Sequence, residues 1–153
     1  MMGRTHMAIG ALAGLLLFPL FDIQPVAFVL LALFGALLPD VDHEKSKINR
    51  LIPITKIIPV FFKHRGFFHS VFPVVILYGA FWYAGLLSLG IPLAIGYVVH
   101  LLSDCFTRLG CNLLHPFSTF RIQGFILTDG LMEYAVFGLA IITDVALVIL
   151  KFF

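Results

Sequence analysis

The chain has 153 residues, of which 61% are hydrophobic and 12% charged. Soluble domains are about 45–50% apolar and roughly 25% charged, and a fold of this length has no interior large enough to hide so much apolar surface. We therefore expect a single-domain, multi-pass integral protein of the cell membrane over residues 1–153. The net charge of +2 and the lack of basic runs interleaved with aromatic residues argue against a nucleic-acid partner.

Uncharged stretches predict an all-α membrane bundle of about five hydrophobic helices. Two helices are expected over Met7–Phe21 and Ile23–Pro39, the first lengthened toward the N-terminus, because a ~30 Å hydrocarbon core requires about 20 residues. The stretch Gly66–Ser103 contains no Asp, Glu, Lys or Arg and is long enough for two spans. Gly favours a helix end and Pro a helix start, so we expect the break at Leu89–Pro92. A fifth span is expected over Leu131–Phe153.

An interfacial segment is predicted between helices two and three, over residues 40–65. Pro53 and Pro59 would kink any helix there, and basic residues alternate with Ile, Leu and Phe. The apolar side should lie at the acyl boundary and the basic side toward the lipid headgroups. Its basic residues are Lys45, Lys47, Arg50, Lys56, Lys63 and Arg65. By the positive-inside rule this segment is cytoplasmic, which puts the N-terminus and the 109–129 connection on the same face and the C-terminus outside.

Imidazole and carboxylate groups stand at one end of every predicted helix, and alternating spans bring these ends to one membrane face. Such groups beside membrane spans are costly and usually functional. Histidine nitrogen with carboxylate oxygen suits zinc, iron or manganese, with three or four protein ligands for each ion. The set is large enough for two or more ions, with the remaining groups orienting ligands or serving as a general base. The candidate ligands are His6, Asp40, Asp42, His43, His64, His69, His100, Asp104 and Glu133.

Each member of this set also has a simpler interpretation. Asp40 and Asp42 are suited to a helix cap or turn after Pro39, and the histidines at positions 6, 64 and 69 to an ordinary membrane interface. Arg65 is explained either by the positive-inside rule or by phosphate contact. Glu133 is also a favourable charge at a helix start.

Three further residues receive structural interpretations. Cys105 and Cys111 form no CxxC motif and are expected to be small packed side chains. Asp144 lies eleven residues after Glu133, close to three helical turns, so both should share a face that points into the bundle. At about 16 Å along the axis from Glu133, Asp144 is too far to reach a metal bound there, and we expect it to bond polar groups of neighbouring helices or water.

The motifs resemble, in order and over nearly the whole chain, the YdjM family of membrane-bound metal-dependent hydrolases. The matching elements are His6, Leu38-Pro39-Asp40-Val41-Asp42-His43, His64-Arg65-Gly66-Phe67-Phe68-His69-Ser70, His100-Leu101-Leu102-Ser103-Asp104 with Thr107 and Gly110, and Glu133. That family looks distantly similar to the zinc-dependent phospholipase C and nuclease fold, in which clustered zinc ions cleave phosphate esters. The resemblance implies zinc as the divalent metal and phosphoester hydrolysis. His115 stands where the family more usually has an aromatic residue, and we do not assign it as a ligand.

The leading hypothesis is therefore a hydrolase in which metal-activated water attacks a phosphoester. A site at the membrane face favours a phospholipid or lipid-linked phosphate as substrate, with membrane lipid as the surrounding partner. Asp42, Glu133 and Arg65 are the candidate catalytic residues. A metal or proton transporter is the second hypothesis, since intramembrane carboxylates and histidines also line ion pathways. A protein with a purely structural metal is the third, and it would leave no ligand position for water.

The cytoplasmic placement of the metal face can be tested by labelling. With Cys105 and Cys111 replaced by Ser, a cysteine at Lys47 should react with a membrane-impermeant maleimide only after cell lysis, because six basic residues retain this segment inside. A cysteine at Phe153 should react on intact cells and serves as the control. Labelling of position 47 on intact cells would contradict the assignment.

Overall fold

The computed structural model describes residues 1–44, 46–61 and 65–153. Helices dominate these residues, and their β pairing is limited to two isolated bridges, Thr107 with Ile126 and Cys111 with Ile122. The helices are α1 (Gly3–Leu17), α2 (Pro25–Gly35), α3 (Lys47–Leu51), α4 (Ile58–Phe61), α5 (Val71–Tyr83), α6 (Leu87–Cys105) and α7 (Leu131–Phe152). Short 3-10 turns cover Phe18–Leu20, Leu38–Asp42, Pro53–Ile57 and Phe67–His69.

Four stretches of the described chain are long and apolar enough to cross a membrane: Gly3–Leu20, Pro25–Asp42, Leu87–Cys105 and Leu131–Phe152. Helix α5 is equally apolar but has only 13 residues. Large apolar side chains such as Leu30, Trp82 and Leu139 cover the outside of these helices, as expected where lipid replaces water. The predicted all-α membrane bundle is confirmed, and the protein is a multi-pass integral membrane protein.

The predicted break between the third and fourth spans is wrong. Helix α5 ends at Tyr83 and α6 begins at Leu87, because Gly85 adopts a left-handed φ of 70° that ends the helix. Pro92 instead lies inside α6, where it removes one helical hydrogen bond. Gly90 also lies in α6, and its missing side chain makes room for Phe81 of α5.

Helices α1 and α7 run in the same direction, so both begin at one face. At that face the Glu133 carboxylate, in the first turn of α7, accepts a hydrogen bond from the Met2 backbone N–H. At the opposite face Lys151 Nζ donates to the Leu15 carbonyl at 2.7 Å. Helix α1 also packs on α2 and α6, and α5 packs on α6. Every long helix therefore has one end at the face where α1 begins.

Helices α2 and α6 touch backbone to backbone. A Cβ added to Gly96 of α6 would overlap the Ala32 carbonyl oxygen, and one added to Gly35 of α2 would overlap the Leu93 carbonyl. Both positions require glycine because any side chain would overlap the backbone of the other helix. This contact therefore sets the distance between α2 and α6.

The interfacial segment is organised by the fully buried Asn49. Its amide nitrogen donates to the carbonyls of Val41 and His43, each at 3.0 Å, and its oxygen accepts from the Thr55 hydroxyl at 2.6 Å. Short helices thus replace one continuous helix, in keeping with the two prolines. The outward apolar residues of this segment include Leu51, Ile54, Ile57, Val60 and Phe61. Lys45 and Lys63 lie outside the described residues.

Two structural predictions about single residues have different outcomes. Cys105 and Cys111 are joined as a disulfide, so their assignment as unpaired packed side chains is wrong. Asp144 is half-buried, as predicted for an inward-facing residue. Its Oδ1 has no hydrogen-bond partner among the described residues, so the expected bond to a neighbouring helix is absent for that oxygen.

The α2–α6 contact predicts unequal effects of two Gly→Ala substitutions. Gly96→Ala should destabilise the protein by about 1–3 kcal/mol, because the helices must separate to admit a methyl group. Gly79→Ala in α5 is the matched control, since no atom lies within 4 Å of its added Cβ. Thermal unfolding in detergent measures both. Equal midpoints for the two variants would show that the helices tolerate separation.

Candidate metal centre

Three buried histidine rings meet at the face where α1 begins. His6 comes from the first turns of α1, His100 from the last turns of α6, and His69 from the short turn before α5. The His6 and His100 rings stack with centroids 3.6 Å apart, and the His69 ring meets His100 edge-on at 5.2 Å. Each side chain is essentially inaccessible to water. Isolated imidazoles this deeply buried need polar partners.

Hydrogen bonds at Nδ1 fix the tautomer of all three rings. His100 Nδ1 lies 2.8 Å from the Ala36 carbonyl, which can only accept, so Nδ1 carries the proton. His69 Nδ1 lies 3.2 Å from Asp42 Oδ2 and donates in the same way. The Ser103 hydroxyl donates to the His100 carbonyl at 2.8 Å, so its oxygen accepts from His6 Nδ1 at 2.9 Å. In the neutral form of each ring, Nε2 is therefore the nitrogen that carries the lone pair and could bind a metal.

The Nε2 atoms converge with two carboxylates. His69 Nε2 and His100 Nε2 are 3.4 Å apart, and two nitrogens on one tetrahedral zinc, each at about 2.0–2.1 Å, would lie roughly 3.4 Å apart. Asp40 Oδ1 lies 3.8 and 3.9 Å from these nitrogens, and Asp104 Oδ2 lies 3.6 and 3.9 Å from them. When both rings are neutral, the lone pairs of His69 Nε2 and His100 Nε2 repel each other at 3.4 Å. A cation between the two nitrogens would remove this repulsion.

Asp104 also faces a second group of donors with its other oxygen. Asp104 Oδ1 lies 3.4 Å from His6 Nε2 and is paired with the amino group of Met1. Two overlapping sets of donor atoms, each within 4.8 Å, result: His6, His100 and Asp104, and Asp40, His69 and His100. Asp104 is thus placed like a carboxylate that bridges two ions.

The shared histidine limits how ions can occupy these sets. His100 Nε2 has one lone pair and can bind only one ion. A single ion could take Asp40, His69, His100 and Asp104, which fills a tetrahedral zinc completely. With two ions, Asp40, His69 and His100 would hold the first, and His6 and Asp104 would hold the second. The first ion would then have three protein ligands, as catalytic zinc sites do.

Asp42 and Arg65 position the donors. Asp42 orients His69 and also accepts a bond from the Arg65 backbone N–H at 3.1 Å. The Arg65 guanidinium is buried, with Nη2 on Asp104 Oδ2 at 3.0 Å and Nη1 on the Gly110 carbonyl at 2.6 Å. The Thr107 hydroxyl lies 3.4 Å from Nη1. Arg65 is therefore not a simple surface charge. Its guanidinium is directed mainly at Asp104 and the Gly110 carbonyl rather than at a position for a bound phosphate.

Two of the predicted ligands, Glu133 and His43, lie outside the donor sets. Glu133 is fully buried, but its oxygens accept from the backbone N–H groups of Met2 and Asp129. This makes it an anchor for the chain around the site, outside both donor sets. His43 has an exposed side chain and belongs to neither set. His64 lies outside the described residues. The structure thus brings together His6, Asp40, His69, His100 and Asp104, with Asp42 behind His69.

Two features essential to the geometry received no role from the sequence. Ser103 links His6 to His100, and its spacing of three residues after His100, which allows a hydroxyl to bond back to a carbonyl, was the available signal. No sequence pattern could have identified the Ala36 carbonyl, because every residue has a backbone carbonyl.

A polar cavity of about 430 Å³ opens beside Asp40. Asp40 is 17% exposed, whereas the side chains of His69, His100 and Asp104 are at most 1% exposed. Access to the donors therefore runs past Asp40. The cavity is lined by Met1, Met2, Gly3, Asp40, His43, Ser46, Lys47, Arg65, Leu109 and Thr128.

Fold and site together define a multi-pass membrane protein with a buried histidine–aspartate cluster at one membrane face. The chain belongs to the YdjM family of inner membrane proteins, whose family model matches residues 1–152. It is 34% identical over 125 residues to a Bacillus subtilis (strain 168) protein described as uncharacterized protein YvsG, covering 80% of this chain and 78% of that one.

Two other relatives carry the family's name. The chain is 39% identical over 92 residues to inner membrane protein YdjM of Escherichia coli (strain K12) and equally to that of Shigella flexneri. Each match covers 56% of this chain and 47% of the relative. No solved structure matches the chain, so the expected likeness to zinc-dependent phospholipase C stays a prediction.

The position of Asp42 behind His69 predicts an intermediate effect on metal binding. Asp42→Asn removes the negative charge that orients the ring, and the affinity for zinc should fall by about 10–100-fold. The number of ions bound at saturation should not change. Competition titration against a zinc chelator measures the affinity and elemental analysis measures the number. Loss of an ion at saturation would instead show that Asp42 is itself a ligand.

Proposed function

We propose that this protein is a membrane-bound metal-dependent hydrolase that cleaves a phosphoester of a phospholipid or another lipid-linked phosphate with water. The observation that carries the proposal is the convergence of three buried histidines, each with Nδ1 hydrogen-bonded and Nε2 directed toward the cluster, on the carboxylates of Asp40 and Asp104. Zinc is the ion that we propose for the site, because the donors are imidazole nitrogen and carboxylate oxygen at spacings that suit a tetrahedral ion.

A divalent ion in this site would lower the pKa of a coordinated water and neutralise charge on phosphate oxygens. The chain's own residues supply the surroundings for that chemistry. Asp40, His69 and His100 would hold the ion beside the polar cavity, and Arg65 keeps Asp104 turned toward both donor sets. Lys47 lines the cavity with an exposed side chain and is the residue best placed to attract a phosphate from the headgroup layer.

The packing beneath the site favours hydrolysis over ion transport. A pathway between α2 and α6, the helix pair beside His100, is closed, because Gly35 and Gly96 leave no room for a methyl group there. The cavity instead opens beside Asp40 at the face that carries the donors. The three protein ligands of the first ion in a two-ion arrangement favour catalysis over a purely structural metal.

Substitutions of the donors test the proposal. His69→Gln and Asp104→Asn should lose bound zinc and, with it, chelator-sensitive hydrolysis of phosphatidylglycerol vesicles and of bis(p-nitrophenyl) phosphate. His115→Gln and Asp144→Asn are the matched controls, because both residues lie outside the donor sets, and both should keep metal and activity. Elemental analysis, release of p-nitrophenol from the soluble substrate, and chromatography of the alcohol and phosphate monoester formed from the vesicles measure these outcomes on the purified protein.

Two results would contradict the proposal. Bound zinc without hydrolysis of either substrate would indicate a structural metal. Zinc or proton flux across vesicles containing the wild-type protein, lost in His69→Gln, would indicate a transporter.

A further inference from the structure

Residues 106–128, which form most of the connection between α6 and α7 and are called the apolar loop here, expose many large apolar side chains. Phe117 is 82% exposed and Phe120 is 72% exposed. Such a surface is unusual outside interaction sites, because exposed apolar patches of this kind are covered by a partner or by lipid. The exposed residues are Phe106, Leu109, Leu114, Phe117, Phe120, Ile122, Phe125 and Leu127.

The backbone of the apolar loop is ordered, so these side chains are held outward by a fixed scaffold. Cys111 and Ile122 exchange backbone hydrogen bonds of 3.1 and 3.0 Å, and Gly124 N–H donates to the Thr107 carbonyl at 3.0 Å. Gly124 packs so closely that an added Cβ would overlap the Phe106 carbonyl. Inside the loop, the Asn112 side chain donates to the Ser118 carbonyl.

The apolar loop continues the lipid-facing surface of the membrane helices. The Phe117 ring meets that of Phe72, the second residue of α5, at 5.3 Å. The Val71 N–H donates to the Leu113 carbonyl at 2.9 Å, which fixes this side of the loop to the start of α5. At its other end the loop leads into α7, whose first residue Leu131 is 87% exposed.

The charges of the apolar loop complement an anionic membrane surface. Arg108 and Arg121 are both exposed, and the whole connection between α6 and α7, residues 106–130, has a single acidic residue, Asp129, which accepts a hydrogen bond from the Tyr134 hydroxyl. We propose that the apolar loop inserts into the boundary between headgroups and acyl chains on the metal-centre side and binds anionic phospholipid there. Aromatic side chains and arginines are the residues that favour this depth. The proposal concerns membrane contact and does not depend on hydrolysis.

Fluorescence quenching tests the depth of the loop directly. Trp82 is the chain's single tryptophan, so Trp82→Phe gives a silent background for Phe117→Trp and Phe120→Trp. In phosphatidylcholine–phosphatidylglycerol vesicles both new tryptophans should be quenched by lipids brominated at acyl carbons 6 and 7. Glu44→Trp in the same background is the water-side control. Wild-type Trp82, on the outside of α5, is the lipid-side control.

The anionic preference is measured in the same vesicles. Brominated phosphatidylglycerol should quench Phe120→Trp at least about twofold more than an equal fraction of brominated phosphatidylcholine, because basic residues enrich anionic lipid nearby. Adding Arg108→Gln and Arg121→Gln should remove this preference and leave quenching by phosphatidylcholine in place. Equal quenching by the two lipids before that change would overturn the lipid selectivity.

Two patterns would overturn the insertion itself. Quenching of positions 117 and 120 by aqueous acrylamide but not by brominated lipid would place the loop in water. Protection from both quenchers would indicate a protein contact, including one with a second copy of this chain. The thermal unfolding midpoint and elution volume, compared with wild type, establish that each tryptophan variant is folded.

Discussion

The geometry of the candidate metal centre depends on how closely α2 approaches α6. Because Gly35 and Gly96 have no side chains, the two backbones touch, and the Ala36 carbonyl comes within 2.8 Å of His100 Nδ1. A carbonyl can only accept, so this one contact decides which nitrogen of His100 is protonated. The tautomer in turn directs the Nε2 lone pair toward His69 and Asp104. A wider helix spacing would leave the imidazole free to present either nitrogen, and the donor geometry would be lost.

The bundle and the gathering of polar groups at one face were predictable because both follow from simple constraints. Long uncharged stretches must be membrane helices, and consecutive spans must alternate in direction, so groups at corresponding ends meet. The choice among those groups was not predictable, because it depends on three-dimensional positions one or two residues apart. Asp40 and Asp42 look equivalent in the sequence, yet one faces the donors and the other lies behind His69. The turn Leu38–Asp42 separates their roles.

The ligand role predicted for Glu133 and the helix break predicted at residues 89–92 failed for the same reason. Each was inferred from a local sequence pattern, whereas tertiary contacts determine what these residues do. Glu133 has the burial expected of a ligand, but backbone N–H groups from residues 2 and 129 occupy its oxygens. The Gly-Ile-Pro sequence at residues 90–92 looks like a helix boundary, but Gly90 is used to admit Phe81 and Gly85 ends the preceding helix. The disulfide between Cys105 and Cys111 likewise depends on the path of a loop that has no periodic pattern.

The length of α5 has a consequence for the surrounding bilayer. Its 13 residues rise about 20 Å, whereas the 22 residues of α7 rise about 33 Å. A hydrocarbon core of roughly 30 Å suits α7 but exceeds α5, and lipids next to a short apolar helix adapt by local thinning. Because α5 begins directly after His69 and Ser70, thinning on this side of the protein would draw headgroups inward beside the candidate metal centre. Hydrophobic mismatch would then bring phosphates toward the site before any residue binds them.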